Sequence, residues 1–120
     1  MTEARRAELS RGGIDVDSAL ERLMGSEALL EKFLNKFLQD GNYPALEGAV
    51  AAGNWEEALR ASHTLKGMCG NLSMTALYGL FTRQVDAIRA EDRAGAASLM
   101  EEIAPAYRAV CRAIAGGEGA

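Results

Sequence analysis

One short stretch of the sequence places a histidine, a lysine and two glycines where they can act together. His63 is the only histidine of the chain, and Lys66, Gly67 and Gly70 follow it by three, four and seven residues. At about 100° per residue, a helix puts Lys66 about 60° to one side of His63 and Gly67 about 40° to the other, with Gly70 within about 40° of the same line. The apolar residues of the stretch fall on the opposite side: Ala58, Ala61, Leu65, Met68, Cys69 and Leu72. We therefore expect His63 to point away from the core.

The chemistry of this pair suits a phosphoryl group. A neutral imidazole is a nucleophile near neutral pH, because its ordinary pKa is about 6.5. An ammonium one turn away favours the neutral ring before reaction and attracts phosphoryl oxygens after it. Each glycine inside a helix costs about 1 kcal/mol relative to alanine, so glycines at outward positions indicate that a phosphoryl group or a partner surface approaches the backbone. Taken alone, these residues leave a solvated His–Lys pair open as well.

The helix periodicity and the capping residues at helix ends predict the helix that contains this stretch and the helices that follow it. Asn54 and Glu57 have the spacing of a capping box and open a helix that runs to about Leu72. Ser73 is predicted to cap the next helix. The last helix begins near Asp92 and keeps its apolar phase through Pro105, where we expect a kink rather than a stop.

Six helical segments with short connections predict an all-α fold. The economical arrangement is an antiparallel four-helix bundle with one or two short additional helices. Residues 1–12 are predicted to be a frayed N-terminal tail, residues 13–115 the helical bundle, and residues 116–120 a Gly-rich tail.

The composition excludes several classes of protein. The chain has 120 residues and a net charge of −4, and an acidic chain repels nucleic acid. It lacks both a secretory signal and the run of about 18 apolar residues that a membrane span needs, so we expect a cytoplasmic protein. Cys69 and Cys111 are predicted to be buried free thiols. No metal site is expected, because His63 and Cys69 diverge by about 120° on the helix.

The string Ser62-His63-Thr64-Leu65-Lys66-Gly67-Met68-Cys69-Gly70-Asn71-Leu72 resembles the signature of histidine-containing phosphotransfer (Hpt) domains. That signature is approximately His-x-Leu-Lys-Gly, followed by Leu-Gly five residues later. The resemblance implies a helical bundle in which His63 is phosphorylated on Nε2, Lys66 helps to hold the phosphoryl group, and Gly67 leaves room for it. It further implies a phosphoryl carrier rather than an enzyme.

The resemblance also implies the partners and the cofactors. They would be receiver domains of response regulators, hybrid histidine kinases, or both, and the receiver would contribute Mg²⁺ and most of the catalysis. The chain would have no ATP site and no metal of its own. From the sequence we expect a monomer with Leu59 and Gly70 as candidates for partner docking.

Two positions depart from the family pattern. Ser73 replaces the family's glycine after Leu72. The Glu or Gln that orients the imidazole in many members falls, by counting, on Val85, with Gln84 and Asp86 beside it. Either the register shifts slightly and Gln84 orients the imidazole, or a water does. An alternative is a binding module with the same fold that docks signalling partners without being phosphorylated.

Overall fold

The computed structural model describes residues 1–116, and every regular element in that range is a helix. The eight helices are α1 (Glu3–Arg11), α2 (Val16–Arg22), α3 (Glu27–Gln39), α4 (Asn42–Ala52), α5 (Trp55–Asn71), α6 (Thr75–Arg89), α7 (Arg93–Ser98) and α8 (Met100–Ala115). The predicted all-α bundle is confirmed. The described residues form two more helices than the six predicted segments. One is α1, and the other arises because the last predicted segment divides at Leu99 into α7 and α8.

The four longest helices, α3, α5, α6 and α8, enclose one hydrophobic core. Helix α5 packs against α4 and α6, and α8 packs against α3 and α6. The largest core residues follow the helix period: Leu30, Leu34, Phe37, Leu46, Leu65, Leu77, Phe81 and Ile103. Burying a side chain of this size stabilises the fold by about 1.5–3 kcal/mol. The core thereby fixes which face of α5 is buried and which is left outside.

The N-terminal tail predicted to be frayed is instead helix α1, so that prediction is wrong. Thr2 caps the helix by accepting a hydrogen bond from the Arg5 N–H, and Leu9 is wholly buried. The Arg5 guanidinium donates to the Glu31 carboxylate at 2.8 and 2.9 Å and to the carbonyls of Ala113 and Ile114 at 2.8 and 2.9 Å. Tertiary contacts hold α1 against α3 and α8. The charged sequence of α1 has no apolar repeat at the helix period, so the helix could not be predicted from periodicity.

The C-terminal helix continues through Pro105, as its apolar phase predicted. It ends at Gly116, whose φ of +100° is a left-handed conformation that suits glycine. The predicted Gly-rich tail starts at this residue, and its residues 117–120 lie outside the described part of the chain.

The connection between α5 and α6 differs from the prediction at Ser73. This residue does not cap α6. Met74 is the N-cap residue and makes no side-chain cap bond. Ser73 instead adopts a φ of +53°, and its Oγ donates to the Ser18 Oγ at 2.8 Å. A left-handed conformation favours glycine, which accounts for the glycine of the family signature at this position.

Two further findings concern membrane-spanning helices and the two cysteines. No helix within residues 1–116 is long and apolar enough to cross a membrane. The two cysteines are free thiols as predicted, but only Cys69 is fully buried, whereas Cys111 is half-buried.

Candidate functional site

His63 lies in the middle of α5, and its side chain is exposed. The helix starts where predicted, because Asn54 accepts a hydrogen bond from the Glu57 N–H at 3.2 Å. The predicted inward residues of α5 are buried except Met68, which is half-buried: Ala58, Ala61, Leu65, Cys69 and Leu72. Packing of this stripe on the core turns the imidazole outward, where a partner protein can reach it.

Lys66 and Gly67 flank His63 one turn further along α5. Lys66 is half-buried, with its Nζ 6.0 Å from the centroid of the Tyr78 ring. Gly67 is exposed, and a Cβ built there would have no heavy atom of another part of the protein within 4 Å. Since alanine would fit in the free protein and would favour the helix, packing does not explain the glycine. The open space beside His63 is consistent with the approach of a phosphoryl group or a partner.

Gly70 has a different role from Gly67, although the two share a face. A Cβ at Gly70 would lie 3.0 and 3.1 Å from Cε1 and Cδ1 of Tyr78. The space that the sequence assigned to a docking partner is therefore used by an aromatic ring of the same chain. Sequence reasoning did not single out Tyr78, although an aromatic residue in the first turn of α6 was visible in the sequence.

Leu59, the other candidate for docking, is half-buried and packs against the core. It lies one turn before His63 on the same side of α5. Only part of its side chain is therefore available to a partner.

Gln84 does not orient His63, so this prediction needs correction. Its Oε1 accepts a hydrogen bond from the Ser62 Oγ at 2.8 Å, and its Nε2 donates to the Ala96 carbonyl at 3.1 Å. Gln84 and Val85 are both wholly buried, because α6 turns this part of its surface into the bundle. Neither side chain is accessible to the exposed imidazole, and within residues 1–116 Gln84 makes no bond to His63.

A cation that sequence reasoning missed lies one turn before His63. Arg60 donates from Nε and Nη2 to the Glu57 carboxylate at 2.7 and 2.8 Å, and from Nη1 to Asn42 Oδ1 at 3.1 Å. The hydrogen bonds between Arg60 and Glu57 lower the pKa of Glu57 and raise the pKa of Arg60. The pairing also engages the Glu57 carboxylate, which a complete capping box would have turned back to Asn54. The three-residue spacing of Glu57 and Arg60 was the available signal.

A groove of about 470 Å³ continues from the His63 face of α5 towards the end of α2. Its walls include Gly67, Gly70 and Tyr78 on one side and Ser18 and Arg22 on the other. No group of three or more His, Cys, Asp or Glu side chains in residues 1–116 is arranged to hold a metal ion. His63 itself does not line this groove and lies on the exposed face of α5.

The structure thus presents an exposed histidine on a helical bundle, with a lysine and an open glycine one turn further along the helix. Comparison with protein families gives a match to the Hpt domain over residues 28–115 of the 120-residue chain. The chain therefore belongs to the Hpt domain family. An Hpt domain is a phosphocarrier module and not a classical enzyme, and it interacts with receiver domains and kinases. Comparisons with curated proteins and with solved structures gave no match.

Proposed function

We propose that this chain is a carrier in a two-component phosphorelay, in which His63 takes a phosphoryl group from the aspartyl phosphate of one receiver domain and passes it to another. Receivers of response regulators and of hybrid histidine kinases are the partners. The observation that carries the proposal is an exposed His63 on α5 with Lys66 and the open Gly67 beside it, in a chain of the Hpt family.

The transfer step requires little of the carrier beyond a nucleophile and a suitable surface. The lone pair of His63 Nε2 attacks phosphorus, the N–P bond forms as the P–O bond breaks, and the aspartate leaves as a carboxylate. Lys66 attracts the phosphoryl oxygens, and Gly67 leaves space for the incoming group. The receiver supplies Mg²⁺, which offsets the charge of the phosphoryl oxygens during transfer.

The proposed carrier acts as a cytoplasmic monomer and binds neither nucleic acid nor a membrane. Its net charge of −4 disfavours a phosphate backbone. The site needs only one exposed helix face, so a single copy presents all of its residues.

Transfer from a labelled, phosphorylated receiver domain tests the proposal, with His63→Gln as the control for the acceptor. We expect acid-labile, base-stable label on the parent protein and none on His63→Gln. Lys66→Ala should transfer about tenfold more slowly, since a charge-assisted bond of about 1.4 kcal/mol is lost. Lys32→Ala removes the same charge from an exposed site on α3 and should transfer at the parent rate.

The alternative is an Hpt-fold module that docks signalling partners without being phosphorylated. It predicts a folded parent protein that binds receivers and takes no label from any of them. Label on the parent that is absent from His63→Gln excludes this alternative.

A further inference from the structure

Tyr78 is an unusual residue for its place in the fold. It belongs to the first turn of α6, yet 40% of it is exposed, which is unusual for so large an apolar ring in the described chain. Its ring edge lies on α5 where Gly70 has no side chain, and its face is 6.0 Å from the ammonium of Lys66. Tyr78 therefore contacts α5 one to two turns beyond His63, at Lys66 and Gly70.

The glycine at position 70 is what permits this contact. Any side chain there would begin 3.0 Å from the Tyr78 ring, closer than atoms pack without displacement. Gly70 and Lys66 are four residues apart and so lie above one another on α5. A ring that rests on Gly70 is thereby brought alongside the lysine.

The Lys66 ammonium lies over the face of the Tyr78 ring, 6.0 Å from its centroid. None of the ion pairs within residues 1–116 involves Lys66, and the residue is half-buried. An ammonium within about 6 Å of a ring centroid is attracted by the negative face of the ring. A lysine side chain otherwise has many rotamers, and it loses that freedom when it binds an anion.

We propose that Tyr78 is a positioning residue for phosphoryl transfer: supported by Gly70, its ring restricts the Lys66 ammonium to the face of α5 that carries His63 before the phosphoryl group arrives. The inference rests on the proposed carrier function and adds a residue outside the family signature. Because the lysine is ordered in advance, less conformational freedom is lost as the phosphoryl oxygens engage it. The attraction of an exposed ammonium to a ring corresponds to about two- to fivefold in rate.

A double-mutant cycle in the full chain tests this role. The variants are Tyr78→Leu, which removes the aromatic face, Tyr78→Phe, which keeps it, and each of these combined with Lys66→Met. The rate of transfer from one phosphorylated receiver domain is measured at a temperature below the midpoint of thermal unfolding of every variant. We expect Tyr78→Leu to be about two- to fivefold slower and Tyr78→Phe to match the parent. In the Lys66→Met background, Tyr78→Leu should have no further effect.

A purely structural role for Tyr78 gives a different pattern. Tyr78→Leu would then slow transfer equally with and without Lys66, and that result overturns the proposal. An unchanged rate for Tyr78→Leu in an active parent overturns it too, while leaving the carrier function intact. A parent protein that takes no label overturns both proposals, so the two failures are distinguishable.

A structural readout accompanies the kinetics. The Lys66 Hε protons should show an upfield ring-current shift by NMR in the parent and in Tyr78→Phe, and lose it in Tyr78→Leu. Gly70→Ala should displace the ring and reduce that shift while leaving Lys66 in place. A Lys66 signal that is the same in the parent and in Tyr78→Leu overturns the proposed contact.

Discussion

Ser62 and Gln84 form a hydrogen bond of 2.8 Å between α5 and α6, and both side chains are wholly buried. Gln84 extends this link through its Nε2 to the Ala96 carbonyl on α7. The residue next to His63 is thus tied to two other helices. A polar link inside an apolar core constrains how α5 can rotate, and it therefore fixes which face of the helix presents the imidazole.

Removing the donor of this bond should destabilise the protein. Ser62→Ala leaves Gln84 Oε1 without its partner inside the core, which should lower the free energy of unfolding by about 1–3 kcal/mol. Urea unfolding followed by circular dichroism measures the change. The double variant Ser62→Ala with Gln84→Leu should recover part of the loss, because it removes both polar groups. Equal stability of Ser62→Ala and the parent would contradict the importance of this bond.

The two glycines after His63 should respond in opposite ways to alanine. Gly67→Ala should raise the free energy of unfolding by up to about 1 kcal/mol, because the site is open and alanine favours a helix. It should nevertheless slow phosphoryl transfer, since the new methyl group occupies the space beside His63. Thermal unfolding and the transfer assay together check this pair of effects.

Gly70→Ala is the matched comparison. Its new Cβ meets the Tyr78 ring at 3.0 Å, so the gain in helix propensity should be cancelled or reversed. Equal stabilisation by Gly67→Ala and Gly70→Ala would contradict the packing of Tyr78 on Gly70.

Arg5 should contribute to stability through the contacts that hold α1. Arg5→Met removes the hydrogen bonds to Glu31 and to the last carbonyls of α8, and it should lower the free energy of unfolding by about 1–3 kcal/mol. Arg11→Met, at an exposed position of the same helix, is the control and should change stability little.

The Arg5 contribution should depend on pH through Glu31. The hydrogen bond from Arg5 lowers the pKa of Glu31 below the ordinary value of 4.5. A depressed carboxyl pKa gives stability that is fully present above the unfolded value and is lost as pH falls through the folded value. The difference in stability between the parent and Arg5→Met should therefore shrink below about pH 4.5. A difference that stays constant down to pH 2 would contradict the pairing of Arg5 with Glu31.

Cys69 should be chemically inert in the folded protein. Burial raises the pKa of its thiol to about 12, and its side chain is wholly buried among core residues. In the variant Cys111→Ser, a thiol reagent at pH 8 should react only at the rate at which the protein unfolds. Urea should accelerate the reaction in parallel with unfolding. Rapid labelling in buffer without urea would show that Cys69 is accessible.

Local rules predicted the parts of this fold that depend on periodicity. Ala61, Leu65 and Cys69 on α5 repeat at the helix period and are buried as predicted. Helix periodicity also placed His63 on the exposed side of α5, because this prediction requires only the angular positions of residues within one helix. The cap at Asn54 is likewise a contact within four residues of chain.

The features that could not be predicted from the sequence depend on contacts between segments that are distant along the chain. Helix α1 is held by Arg5 through residues more than twenty positions away, and the charged segment offered no stripe to predict it. Counting placed the imidazole-orienting residue at Val85 and made the adjacent Gln84 a candidate, but the register of α6 directs Gln84 to Ser62. Gly70 was assigned to a partner, whereas a ring from the next helix occupies that space.

Whether His63 carries the phosphoryl group is tested by ³¹P NMR of the full chain after incubation with a phosphorylated receiver domain. His63 is the only histidine in the sequence, so any phosphohistidine resonance identifies the carrier residue without further mapping. We expect one phosphohistidine resonance in the parent, its loss on acidification, and its absence from His63→Gln. A parent spectrum without that resonance, beside a receiver that transfers to another Hpt domain, would contradict the account.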